Sequence, residues 1–164
     1  MSFASVIDTT ILNKARKYCS YQERSQQEVR DKLYELGLHK KEVEQTIALM
    51  VEEKYLNEER FAIAYAGGKF RSKKWGKKKI IYQLKAKGIN GKLIQQALGE
   101  IKESDYKETL LAELKKKDGI MKELNPLKRM AKISKYLFGK GFEQDMVIDA
   151  VKKYYNKWEN LFYI

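Results

Sequence analysis

The sequence predicts an all-α protein of three tandem three-helix modules, and three observations carry that prediction. Apolar residues recur at helical spacing throughout, and only one Pro and ten Gly occur in 164 residues. Lys, Glu and Leu, which favour helices over strands and turns, are abundant alongside Ile. A six-position pattern also occurs three times: Val29, Leu33, Gly37, Leu38, Val43 and Ile47; then Ile80, Leu84, Gly88, Ile89, Ile94 and Leu98; then Ile133, Leu137, Gly141, Phe142, Val147 and Val151. All six offsets agree in all three copies. A repeat of this length marks a chain built from stacked supersecondary units.

Each position of the pattern has a physical job. The two apolar residues before Gly lie one helical turn apart and share a face. Gly ends that helix, because it enters the left-handed conformation of a C-cap without a Cβ penalty, and the apolar residue after it folds back on the last turn. Two more apolar positions then open a second amphipathic helix, with Val43, Ile47, Met50 and Val51 on one stripe in the first copy and Ile94, Ala97, Leu98 and Ile101 in the second. A helical segment precedes each pair: Ala15 to Cys19, then Phe61, Ala64, Tyr65 and Gly68, then Tyr106, Leu110, Leu111 and Leu114.

Local signals place several boundaries. Ser25 caps the second helix with Glu28 at the capping-box position, Asn57 precedes Glu58 and Glu59 as an N-cap with first-turn acids, and Pro126 after Asn125 suits the first turn of the eighth helix. Residues 8–56, 57–102 and 103–164 are the expected modules. The aperiodic, charged stretch from Lys115 to Leu124 reads as a long loop, and the apolar end from Trp158 to Ile164 as a segment packed against helix 143–155. Modules of about fifty residues bury little surface alone, so an elongated, curved stack is expected.

The formal charge of +12 is strongly localised. Residues 13–60 balance 10 basic against 10 acidic side chains, whereas residues 69–92 hold ten cations and no acid. These are Lys69, Arg71, Lys73, Lys74, Lys77, Lys78, Lys79, Lys85, Lys87 and Lys92. A solubilising surface mixes both signs, so this block points to an anionic partner, nucleic acid or acidic protein. It reads as a helix over 74–87 with the turn before it. Ile80, Ile81 and Leu84 face inward there, and Trp75, Lys78, Tyr82 and Lys85 form a second stripe. Lysines on phosphates with aromatic rings under bases would bind single- or double-stranded DNA without strong sequence preference. Trp75 has two readings, a stacking platform or a wedge packed on the preceding helix.

Catalytic chemistry finds no footing. His39 stands alone at a helix start, and Cys19 lies on a helix with Ala15 and Tyr18 without a histidine partner. Gly67-Gly68-Lys69 superficially resembles a phosphate loop, but the spacing fails and Phe70 stands where a hydroxyl belongs, so close helix packing is the expectation there. No carboxylate cluster suits a metal. The expectations are no enzyme activity, no cofactor, no metal, no disulfide, no membrane association, a cytoplasmic location and, with no heptad seam, a monomer.

Three segments resemble the RecX family, bacterial regulators of the recombinase RecA. Tyr21 to Leu38 (YQERSQQEVRDKLYELGL) is similar to that family's Arg-Ser pair followed by E-V-x-x-K-L and Gly-apolar. Tyr55 to Tyr65 (YLNEERFAIAY) resembles its Y-L-D-[DE]-x-R-F-A-x-x-[YF] signature, with Asn57 keeping the capping oxygen of the usual Asp. Arg71 to Ile89 (RSKKWGKKKIIYQLKAKGI) resembles its basic second module ending in L-x-x-K-G-I. The resemblance implies a non-enzymatic partner of the RecA–DNA filament in recombination, DNA repair and the SOS response, inhibiting RecA ATPase, strand exchange and coprotease activity. Two other classes compete: a free-standing basic nucleic-acid-binding protein and a helical-repeat scaffold for an acidic partner. The contact residues expected from the block are Lys69, Arg71, Lys73, Lys74, Trp75, Lys77, Lys78, Lys79, Tyr82, Lys85 and Lys87.

Overall fold

A computed structural model describes the backbone of residues 7–162 and the side chains of residues 7–156. The described residues form nine α-helices and no strand. They are α1 (Thr9–Tyr21), α2 (Gln26–Glu35), α3 (Lys40–Glu52), α4 (Glu58–Lys73), α5 (Lys77–Ala86), α6 (Gly91–Gly99), α7 (Glu103–Ile120), α8 (Pro126–Lys140) and α9 (Gln144–Phe162). Asp8 caps α1 by accepting from the Thr10 N–H at 2.7 Å, and Ser25 and Glu28 form a reciprocal capping box at α2. Asn57 and Asn125 cap α4 and α8 through their side-chain oxygens.

The repeat reappears as one backbone motif made three times. Gly37, Gly88 and Gly141 have φ of 92°, 78° and 94°. In every copy the N–H after Gly donates to the carbonyl of the repeat Leu five residues back: Leu38 to Leu33, Ile89 to Leu84, Phe142 to Leu137, at 3.1–3.3 Å. The spacing from Leu to Gly to apolar residue is therefore a hydrogen-bonding register, the Schellman closure of a helix end. All fifteen apolar positions of the three copies are buried.

The described residues group into two compact units, one formed by those up to Tyr65 with Leu84–Ala97, the other by Ala66–Gln83 with those from Leu98 onward. In the first, Leu12, Ala15 and Cys19 pack with Val29, Leu33, Val43, Ile47 and Met50. Ion pairs Arg16–Glu53 and Arg30–Glu44, at 2.6 and 2.7 Å, tie neighbouring helices at its surface. In the second, Phe70, Tyr106 and Phe142 pack in series, the first pair stacked and the second tilted, with ring centroids 5.9 and 5.4 Å apart. Leu110, Leu114, Ile133, Leu137, Val147 and Val151 complete this core.

Several expectations change. The stretch from Lys115 to Leu124 is no long loop, because α7 continues to Ile120. Asp118 in that extra turn accepts hydrogen bonds from Arg129, Tyr154 and Tyr155, so contacts with later helices supply the order that local periodicity lacks. The helix expected over 74–87 runs from Lys77 to Ala86, and Trp75 lies in the turn before it. Ile81 is only half-buried, and Val51, Ala64 and Leu111 are exposed. The buried face of α4 is Phe61, Ala62, Ala66 and Phe70. Gly68 packs no second helix, since a Cβ there would meet nothing within 4 Å, and at Gly67 the nearest atoms to an added Cβ are those of the Arg71 side chain. The end from Trp158 continues α9 through Phe162 instead of folding back on it, and its side chains lie outside the described residues.

Candidate nucleic-acid interface

Seven of the ten block cations, Lys69 to Lys79, belong to the second unit, on the last turns of α4, the turn Lys74–Gly76 and the first turn of α5. Lys77, Lys78 and Lys79 thus sit at the positive end of the α5 dipole, where acids are favoured and each cation costs a few tenths of a kcal/mol to about 1. No acid offsets them in that turn. Breaks of a local rule of this kind concentrate at functional or strained sites.

The end of α5 is built onto the third module. The Gly76 N–H donates to the Lys140 carbonyl at 2.8 Å, the Lys78 N–H to the Gly141 carbonyl at 3.0 Å, and the Lys77 N–H to the Tyr106 hydroxyl at 2.9 Å. Tyr106 in turn donates to Glu143. Burial, followed by the bond to Glu143, pushes the Tyr106 hydroxyl far above its ordinary range and keeps it protonated. These partners occupy three of the N–H groups that a helix start would otherwise offer to phosphate, those of Gly76, Lys77 and Lys78, so anion attraction here rests chiefly on side chains. Gly76 and Gly141 permit the approach: a Cβ at Gly76 would stand 2.2 Å from the Gly141 carbonyl carbon, and one at Gly141 2.3 Å from the Lys79 Cβ.

The expected contact residues do not form one uniform surface. Arg71, Lys73, Lys74, Lys78 and Tyr82 are exposed, Tyr82 by 71%. Trp75 is half-buried, with the Lys69 and Lys79 ammonium groups 5.3 and 4.9 Å from its ring centroid. Lys77 is half-buried, bonded to Glu103 at 3.3 Å and lying 4.5 Å over the Tyr106 ring. Lys85 and Lys87 belong to the first unit. Lys85 is exposed, whereas Lys87 pairs with Glu28 at 3.1 Å and holds that carboxylate, despite its burial, below the usual range together with the Ser25 cap.

Sequence reasoning missed the partners contributed by the third module: Tyr106, Lys140, Gly141 in its second role, Phe138 and Gln144. Phe138, 40% exposed, and Gln144 line a groove of about 510 Å³ with Lys78, Lys79, Tyr82 and Gln83, all within the second unit. Nothing local in residues 69–92 encodes a partner sixty residues away. The Lys140 ammonium also donates to the Lys73 carbonyl at 2.7 Å.

Among the described residues no group of three or more His, Cys, Asp and Glu could hold a metal, and no helix is long and apolar enough to cross a membrane. Cys19 is buried, which pushes its thiol up to about 11. His39 is exposed, and its N–H donates to Glu42 at 3.0 Å.

Family models for the first, second and third three-helix domains of RecX match residues 12–48, 57–98 and 103–151. The regulatory protein RecX of Bacillus licheniformis is 30% identical over 140 residues, 85% of this chain and 53% of that protein. That of Clostridium perfringens is 30% identical over 135 residues, 81% of this chain and 63% of that protein. The chain therefore spans between about half and two thirds of the length of these relatives. The crystal structure of RecX from Lactobacillus salivarius superposes with a TM-score of 0.78 at 25% identity, covering 88% of this chain and 94% of that one. Three matched domains in chain order, on the same three Schellman-closed repeats, place this chain in the RecX family of regulatory proteins.

Proposed function

We propose that this protein regulates a RecA filament by binding, without chemistry of its own. The observation that carries the reading is the acid-free run from Lys69 to Lys92, with three lysines crowded at the unfavourable end of α5. Arg71, Lys73, Lys74 and Lys78 contact filament phosphates or an acidic wall of the recombinase, and Trp75 orders Lys69 and Lys79 beside them. Such contacts are salt-dependent and largely indifferent to sequence. Membership in a family of regulatory proteins supports the choice of a regulator over an enzyme.

Binding across more than one RecA protomer would resist the rearrangement that accompanies nucleotide turnover, through blocked filament growth or a locked groove. ATPase, strand exchange and coprotease activity would fall together. The protein acts as a monomer and needs no cofactor.

The test adds purified protein to a RecA filament preformed on single-stranded DNA and follows ATP turnover. The expected result is inhibition below one protein per RecA protomer, relieved by added salt. Unchanged turnover with retained DNA binding would replace this reading with that of a free-standing nucleic-acid-binding protein. Loss of both would leave a scaffold for an acidic partner.

A further inference from the structure

The groove beside α5 has features that phosphate contact alone does not require. Tyr82, 71% exposed, and Phe138, 40% exposed, both line it, one from α5 and the other from the end of α8. Tyr82 is too exposed to serve the core of the second unit, where Phe70, Tyr106 and Phe142 pack, and Phe138 leaves two fifths of its surface open in the same groove. Gln83 and Gln144 supply amide donors and acceptors within the same groove. A Cβ at Gly139 would meet nothing within 4 Å, so the wall there stays open to a planar group.

Charge in the groove has one sign. Lys78 and Lys79 line it, and none of its described lining residues is a carboxylate. Lys79 is held in place, its ammonium donating to the Gly139 carbonyl at 3.3 Å while lying over Trp75. A neighbouring depression that shares Lys78 and Gln144 carries Glu143 and Asp145 instead, and would turn a phosphate chain away on that side. The volume of about 510 Å³ falls in the range of roughly 300–1,000 Å³ typical of small-ligand clefts.

We propose that this groove takes an unstacked base of a single strand between Tyr82 and Phe138, with Lys78 and Lys79 on the flanking phosphates and Gln83 and Gln144 at the base edges. The inference rests on the reading of the basic block as a nucleic-acid surface and names the form of nucleic acid that it prefers. Every base has a π-face, so stacking is tolerant of sequence. A base in a duplex is already stacked and paired and does not enter, whereas lysines reach the phosphates of either form. The lysines therefore set general affinity, and the two rings set the preference for single strands.

The experiment measures fluorescence anisotropy of the full chain with labelled oligothymidylate and with a duplex of equal length at one salt concentration. It compares Tyr82→Ala, Phe138→Ala, Tyr82→Phe and Lys78→Gln. Loss of either ring should weaken single-strand binding by roughly 5- to 100-fold and leave duplex binding within about twofold. Tyr82→Phe should keep the preference, and Lys78→Gln should weaken both forms alike. A 2-aminopurine base in the strand should be quenched by the wild-type chain and by Tyr82→Phe, and not by Tyr82→Ala. Tyr82 is so exposed that its truncation spares the core, which keeps the test decisive if Phe138→Ala unfolds. Wild-type binding to both forms, with Tyr82→Ala changing neither or both equally, overturns the groove assignment and leaves the nucleic-acid reading in place. Binding to neither form, or displacement of the strand by an acidic peptide that quenches nothing, overturns both.

Discussion

Replacing Gly141 by Ala should cost far more than replacing Gly37, although the two glycines share a place in the repeat and a φ of 94° and 92°. At Gly37 an added Cβ meets nothing within 4 Å, so the cost is that of a left-handed Ala, about 1 kcal/mol. At Gly141 the Cβ would stand 2.3 Å from the Lys79 Cβ and 2.6 Å from its nitrogen, and backbone cannot rotate away as a side chain can. Restoring an ordinary contact moves the start of α5 off α8 by about 1 Å. The bonds from Gly76 to Lys140 and from Lys78 to Gly141, now 2.8 and 3.0 Å, would then lengthen past useful range. Each is worth about 1 kcal/mol net, which brings the total to about 3 kcal/mol. Urea unfolding followed by circular dichroism measures both variants, with Gly88→Ala as a second open-space control. Hydrogen exchange should also accelerate at the Gly76 and Lys78 amides in Gly141→Ala alone. Equal destabilisation by Gly37→Ala and Gly141→Ala would refute the close approach of α5 to α8.

Converting Lys73, Lys74 and Lys78 to Gln should flatten the dependence of log affinity on log salt by roughly 3, since each true phosphate contact contributes about 1; an unchanged slope puts the site elsewhere. Lys74 holds a φ of 57° in the turn before α5 and Lys54 one of 63° after α3. Gly at either position should raise stability by about 0.5–1 kcal/mol, and Lys74→Gly alone should weaken DNA binding; a loss of stability from Lys74→Gly would contradict the strain argument. Burial alone would raise the Asp118 carboxyl, but hydrogen bonds from Tyr155, Arg129 and Tyr154 hold it below its ordinary range. A folded pKa depressed below about 3.9 stabilises above that value and is lost as pH falls through the folded pKa, so the urea midpoint of the wild type should drop more steeply below about pH 4 than that of Asp118→Asn. Parallel curves would remove Asp118 from the acid response.

The helical class, the threefold repeat and the closing glycines were legible in the sequence because each rests on interactions within five residues. The same holds for Ser25 with Glu28 and for Asn57 and Asn125, whose caps reach three residues ahead. Positive charge was legible too, since the absence of acids from residues 69–92 is a property of composition. The reach of α7 to Ile120 was not, because Asp118 is ordered by Arg129, Tyr154 and Tyr155 from other helices. Trp75 could not be assigned before its turn was seen between Lys69 and Lys79. The sequence by itself determined that the fifteen apolar positions of the repeat face a core and that the cations of residues 69–92 stand without acids. Only the tertiary structure decided that the start of α5 is capped by the Lys140 and Gly141 carbonyls, and that Phe138 joins Tyr82 in one groove. Hydrophobic period and capping are local physics, written at fixed offsets along the chain, whereas docking one helix end on another depends on backbone groups that every residue carries alike.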